Sequence, residues 1–188
     1  MQSHSRFGKT TTNQMGAYLP VSREKGFSLI ELLIVVAIIL IIAAIAIPNL
    51  LRARMAANEA SSVSSIRTIN TAEVSYQSAY PSTGYSATLK ALGPGGNTCS
   101  GATAANACLI DYTLSLAISS GTAKSGYYFT YTAATGNTGY VVDGEPAKLN
   151  QTGVRAFCST EDGVIHANPT ASGAVTTSAA CGAWSALQ

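Results

Sequence analysis

The run from Leu32 to Ile47 contains only Leu, Ile, Val and Ala, and the chain enters it through a lone carboxylate at Glu31. A helix that is apolar on every side has no polar face to turn to water, so this run cannot be a surface helix of an ordinary domain. Counted from Phe27, it would reach about 31 Å as a helix, which matches a bilayer core of about 30 Å. An acid at the centre of such a span costs roughly 2.5 to 3.5 kcal/mol, and less near the interface. Glu31 therefore either rests at the interface as a helix-end acid or has a partner. Ala44-Ile45-Ala46 has the small-x-small form of a secretory cleavage site. Signal cores are short and uncharged, however, whereas this run is long, carries Glu31 and continues past Pro48 into helical sequence. A permanent anchor remains, as does a segment first inserted in a membrane and later buried in a protein assembly.

Asn49 to Tyr80 contains neither Gly nor Pro. Val63, Ile66, Ile69, Tyr76 and Tyr80 recur at the spacing of one helical face, and Ser61, Ser65, Thr68 and Thr71 are expected opposite them. Pro48 lacks an amide donor and crowds the carbonyl four residues back, which predicts a kink. Pro81 and Gly84 mark the end of the helix. A single helix from Phe27 to Tyr80 would span about 80 Å.

The chain of 188 residues carries 11 Lys+Arg and 9 Asp+Glu. Four of those bases (Arg6, Lys9, Arg23, Lys25) and one acid (Glu24) precede Phe27, which leaves 7 bases and 8 acids after it. The basicity belongs to the N-terminal stretch, and no Lys/Arg cluster remains to support specific nucleic-acid binding. Bases before the apolar run place that end in the cytoplasm.

Beyond Pro81 the chain turns to Gly, Ser, Thr, Ala and Tyr, the composition of a small head. Gly93-Pro94-Gly95-Gly96 reads as a turn, since no Lys-Ser/Thr pair follows to make a phosphate loop. A short helix is expected over Leu109 to Ile118. Strands are expected over Gly126–Thr132, Gly139–Asp143, Val154–Cys158 and Val164–His166, with turns at Gly136-Asn137 and Asp162-Gly163. Tyr127, Phe129 and Tyr131 alternate onto one face and are expected to be core. Four cysteines point to an oxidising compartment. They allow three connectivities, of which the local pairs Cys99–Cys108 and Cys158–Cys181 are favoured. No CxxC pair is present and His166 is the one histidine after the leader, so the cysteines do not read as a zinc site. Asp143, Glu145, Glu161 and Asp162 lie near the expected turns and read equally as solvated loop residues and as catalytic ones, with no Ser/His/Asp or Cys/His motif beside them. Asn150-Gln151-Thr152 matches the short glycosylation sequon.

Gly26-Phe27, Glu31, the apolar run, Pro48 and the long helix resemble the class III signal and first helix of type IV pilins and of type II secretion pseudopilins. The resemblance covers residues 25 to about 80. It implies an α+β pilin fold, in which a long kinked N-terminal helix packs on a C-terminal antiparallel sheet of about four strands. The parts would be a removed leader (1–26), a transmembrane and assembly half-helix (27–52), an amphipathic half-helix (53–80) and a head (81–188). In that family a prepilin peptidase cuts after the glycine, here Gly26, and methylates the new N-terminal residue, here Phe27. Glu31 would pair with the Phe27 ammonium of a neighbouring subunit. Type IV pilins often close a C-terminal loop with a disulfide, and Cys158–Cys181 resembles that feature. The leader is long for the commonest pilin group; a start at Met15 would leave 12 residues before the cut.

The resemblance implies a non-enzymatic pilus subunit used in adhesion, motility or DNA uptake. Its implied partners are the membrane, the peptidase/methyltransferase, an inner-membrane assembly platform with its ATPase, and further copies in a helical filament. It would be a single-pass inner-membrane precursor with its N-terminus in the cytoplasm, then part of a periplasmic or extracellular pilus. A major pseudopilin is the alternative. That class typically carries calcium in C-terminal loops; otherwise no cofactor is implied and no metal ligands are assigned. An exported, membrane-anchored binding module is more remote, since it leaves Gly26-Phe27 and Glu31 without a use.

Overall fold

The computed structural model describes residues 26–171 and 173–187. The leader up to Lys25, with both candidate starts at Met1 and Met15, lies outside the described residues. The chain divides into two compact units, Met1–Ile42 and Ala43–Gln188. The first helix, α1 (Leu29–Ala79), passes through Pro48 with helical residues on both sides. It ends where expected: Pro81 follows, and Gly84 takes φ +79 while donating to the Tyr80 carbonyl at 3.2 Å.

Within the second unit, α1 buries Glu59, Ser62, Ile66, Ile69, Glu73 and Tyr76, a stripe with spacings of three and four residues. This corrects the expected division of the helix. Ser65 belongs to the buried side, whereas Thr68 and Thr71 are exposed. The buried face is half polar: Glu59, Asn70 and Glu73 have partners far along the chain, Ser65 bonds back to the Ser61 carbonyl, and Ser62 Oγ has no hydrogen-bond partner among the described residues.

The sheet is an antiparallel meander of five strands: β1 (Tyr127–Ala133), β2 (Tyr140–Pro146), β3 (Ala156–Thr160), β4 (Ile165–Asn168) and β5 (Ser185–Ala186). Pairing runs Tyr127↔Pro146, Gly144↔Phe157, Phe157↔Ala167 and His166↔Ala186. The β1–β2 turn is made by Gly136 and Asn137, both at positive φ, and Gly163 at φ +73 makes the β3–β4 turn. Strand alternation turns Tyr127, Phe129, Tyr140, Val142, Phe157, Ile165 and Ala167 onto Ile66, Ile69, Ala72 and Tyr76 of α1. A Cβ on Gly144 would come within 2.9 Å of Ser62 Oγ and 3.0 Å of the Phe129 ring, so a glycine there lets helix and sheet approach.

Between α1 and β1, a 3₁₀ turn (Leu89–Leu92) and the short helix α2 (Tyr112–Ser115) insert Leu89, Leu92 and Leu114 into the same core. α2 is shorter than the expected Leu109–Ile118 because Asp111 fixes its start, with Oδ1 accepting the Leu114 amide at 2.9 Å. Leu109 and Ile118 are left exposed.

The outer face of β2 and β3 is covered by the C-terminal segment and its helix α3 (Ser178–Gly182), where Val141, Cys158, Val175 and Cys181 form a second cluster beside Trp184. β5 follows α3 and was not expected; two residues carry no strand pattern of their own.

Candidate functional site

Residues 26–31 begin the described part of the first unit. A Cβ built on Gly26 would meet nothing within 4 Å, so this fold places no steric demand for glycine there. Gly144 and Gly26 thus differ: packing requires the first and places no demand on the second. Phe27 follows, 80% exposed. The Ser28 amide donates to Glu31 Oε2 at 2.9 Å, and the Leu32 amide closes the first turn on the Ser28 carbonyl at 3.2 Å. This is the glutamate arm of a capping box: Glu31 satisfies an orphan donor of its own helix and places acid at the positive end of the helix dipole. The sequence signal was Ser28-Leu29-Ile30-Glu31, an S-x-x-E pattern that a search for a distant partner of Glu31 passes over.

From Leu29 to Leu51 every Leu, Ile and Val is between 47% and 81% exposed, and none of the residues in the most apolar stretch is buried. The helix is long and apolar enough to cross a membrane. Apolar surface on this scale is not left to water by a soluble monomer.

The second unit has a different chemistry. Glu73 is completely buried, and its carboxyl collects the Ser86 amide at 3.0 Å, the Ser86 hydroxyl at 2.5 Å and the Tyr131 phenol at 2.6 Å. Burial, then the neighbouring Glu73, drives the Tyr131 pKa upward, so Tyr131 remains a donor. Asn70 bridges Ser159 Oγ (2.9 Å) and the Tyr140 hydroxyl (3.0 Å). Glu59 Oε1 accepts the Val154 and Arg155 amides at 2.9 and 3.1 Å, and Oε2 pairs with Arg155 Nε at 2.8 Å. Burial opposes ionisation of Glu59, but those amides and the guanidinium outweigh it and hold its pKa below the ordinary carboxylate range. These stitches were not anticipated.

The strand expected over Gly139–Asp143 runs on to Pro146, so Glu145 as well as Asp143 lies inside β2, and both are buried rather than solvated. Asp143 is fully buried under the C-terminal segment; Oδ2 accepts the Val175 amide at 3.2 Å, while Oδ1 has no hydrogen-bond partner among the described residues. Burial pushes its pKa up to about 7, against the lowering effect of the Val175 amide, with repulsion from Glu145 adding to the rise. Glu145, also buried, accepts the Tyr128 phenol at 2.6 Å. That hydrogen bond, with burial, pushes Tyr128 up to about 12. Glu161 and Asp162 are exposed, as expected of loop acids. His166 donates through Nδ1 to the Trp184 carbonyl at 2.9 Å, a link between β4 and the C-terminal segment. The sulfurs are joined as Cys99–Cys108 and Cys158–Cys181. Asn150 of the sequon lies in the β2–β3 connection at φ +62.

Residues 21–47 match the family model described as the prokaryotic N-terminal methylation motif. Residues 21–47 thus carry a prepilin-type N-terminal motif. The chain also shares 71% identity over 35 residues with the type IV wide pilus major component PilA4 of Thermus thermophilus, a match over 19% of this chain. It covers 27% of that relative, so the chain spans about a quarter of the length of the curated protein it matches. No solved structure matches the chain. The match includes Gly26, Phe27 and Glu31, and it ends at Ile47, just before Pro48. The long helix and the five-stranded antiparallel sheet make an α+β pilin-like architecture.

Proposed function

We propose that this chain is a structural subunit of a type IV pilus, stored in the membrane through its apolar half-helix and processed at Gly26-Phe27 before it polymerises. The observation that carries this reading is the join between an unforced glycine, an exposed Phe27 and a helix whose first half nothing covers. Hydrolysis of the Gly26–Phe27 bond adds water and yields a Gly26 carboxylate and a Phe27 ammonium; after loss of a proton, that amine takes a methyl group from a sulfonium methyl donor, which leaves as the thioether, and the methylated nitrogen is again cationic once protonated. The new cation is created at the head of an apolar helix, where it needs a counter-charge. Glu31 of a neighbouring copy supplies one. Its capping bond to Ser28 keeps the acid satisfied until then, and a misplaced subunit would leave both charges buried and unpaired, which costs several kcal/mol. Pro48 removes one rung of the helix and is the point where α1 can bend on packing. The head folds on its own core and decorates the assembly, which is head-to-tail and non-closing.

The expected pattern for Glu31→Ala is a chain that is cut and held in the membrane but forms no filament; normal filaments from that variant would refute the role of Glu31. Electron microscopy with and without the chain tests the wider reading. Loss of long external fibres supports a pilus, and a protein-secretion defect without loss of fibres would assign the chain to type II secretion instead.

A further inference from the structure

The β2–β3 connection forms one wall of a groove of about 550 Å³ whose other wall is α1. Leu51 and Met55 line its apolar side, and Arg54, Lys148, Asn150 and Gln151 its polar side. The volume lies within the roughly 300 to 1,000 Å³ of small-molecule sites. We infer that this groove holds the phosphodiester headgroup of an anionic phospholipid while the chain is stored in the membrane, an inference that rests on the membrane reading above.

Four observations support it. The first is position: Arg54 follows Ile47, the last residue of the apolar run, by seven residues, or about 10 Å of helix rise. The headgroup layer extends roughly 5 to 8 Å beyond each face of the hydrocarbon core, within reach of a long arginine side chain. The second is free charge. Among the described residues, the ion pairs are Lys124–Asp111 and Arg155–Glu59, so Arg54 and Lys148 have no acidic partner. Glu59, the acid closest along α1, is held by Arg155 and by two amides, which takes it out of competition for the groove bases. The third is preorganisation. Asn58 Nδ2 donates to the Thr152 carbonyl at 2.8 Å, and the Thr152 amide closes on the Lys148 carbonyl at 2.9 Å. The connection is therefore pinned to α1 at Asn58 and Glu59, and Lys148 is carried on fixed backbone. The fourth is amphipathicity: the lining offers Leu51 and Met55 as apolar surface for the glycerol and first acyl carbons of a lipid, and Arg54 and Lys148 as two bases for its phosphate.

The test uses the full chain in nanodiscs of equimolar phosphatidylglycerol and phosphatidylcholine, released for native mass spectrometry. Insertion is checked separately by resistance to alkaline extraction from vesicles of the same composition. The wild type should retain phosphatidylglycerol over phosphatidylcholine by about tenfold, as expected for two bases at a membrane surface. Arg54→Gln/Lys148→Gln should abolish the preference, and Arg67→Gln/Lys90→Gln, which removes two exposed bases elsewhere on the same unit, should leave it intact. All four side chains are exposed, and the near-ultraviolet circular dichroism of each variant should match that of the wild type. Insertion without lipid preference, or a preference that survives the groove substitutions, overturns the inference alone. A chain that fails to insert overturns the membrane reading and the inference with it. Retention of a second copy in place of lipid, lost with Glu161→Gln/Asp162→Asn, also overturns it, because the groove would then be a seat for the exposed acidic turn of another subunit.

Discussion

Replacing Glu73 by Ala removes the central polar stitch between α1 and the rest of its unit. Three donors lose their acceptor at once: the Ser86 amide, the Ser86 hydroxyl and the Tyr131 phenol. The two hydroxyls have fallback partners, since the Thr88 carbonyl lies 3.2 Å from Ser86 Oγ and the Ser86 carbonyl 3.0 Å from the Tyr131 oxygen. Each of those losses is therefore worth about 1 kcal/mol or less. The Ser86 amide has no second acceptor among the described residues, and an orphaned buried donor costs about 1 to 3 kcal/mol. The sum, reduced by the relief of no longer burying a carboxyl, is about 3 kcal/mol. At roughly 2 to 4 °C per kcal/mol for a chain of this size, Tm should fall by about 6 to 12 °C. The assay is thermal unfolding of the full chain in detergent micelles, followed by near-ultraviolet circular dichroism, which reports the packed tyrosines and not the apolar helix. Tyr131→Phe alone should cost about 1 kcal/mol, and much less when Glu73 is already Ala, because the two share one hydrogen bond. A Tm within about 2 °C of the wild type for Glu73→Ala, or strictly additive costs in the double variant, would refute the account.

Reducing the Cys158–Cys181 bond releases a loop with a sequence separation of 23, worth about 3 kcal/mol in the chain-entropy model. Hydrogen exchange should then rise first in residues 169–184, and equal exchange in the oxidised and reduced protein would contradict the role given to that segment. Asp143 sets a pH dependence of opposite sign to that of Glu59. Its folded pKa, about 7, lies above its unfolded value of 3.8, so its contribution is fully present below about pH 4 and is lost as pH rises through 7. The loss is of order 4 kcal/mol. Asp143→Asn should flatten the fall in Tm between pH 5 and 8 and raise Tm at pH 8; a variant whose profile parallels the wild type would show that Asp143 does not titrate in this range. Glu59, with a depressed pKa, acts on the other side: its contribution is present above about pH 4.5 and disappears on acidification below it.

Much of the architecture was legible because its carriers are apolar and periodic. Tyr127 and Phe129 could only alternate inward, and Gly136-Asn137 and Asp162-Gly163 announced two turns. The apolar run could only be a helix with no polar face. Residues whose role depends on a distant partner were hidden. Glu59, Asn70 and Glu73 sit on a helix among Ser and Thr, and nothing local distinguishes them from solvated polar residues until Arg155, Tyr140 and Ser86 arrive from far along the chain. Asp143 and Glu145 were misplaced for a related reason. What meets Asp143 is a Ser/Thr/Ala-rich segment with no apolar pattern, held over β2 by a disulfide rather than by burial alone, and Glu145 is met by the Tyr128 phenol. The capping box at Ser28-x-x-Glu31 is the exception, being a local signal and readable from four residues.

The two halves of α1 solve opposite problems. On the proposed function, the half before Leu51 needs surface that accepts lipid first and other helices afterwards, and uniform apolar side chains do this because dispersion and burial carry no directional demand. The half from Asn58 to Tyr76 has to hold one head in one register. An entirely apolar stripe there would let the sheet slide, or let another copy's helix compete for the same face. Glu59, Asn70 and Glu73 forbid both, since each would be left buried without partners after a shift of a single turn, at about 1 to 3 kcal/mol per unsatisfied group. Polar stitches on one half therefore protect the indifference of the other: the head stays fixed to its own helix, and only the apolar half is left open to new neighbours.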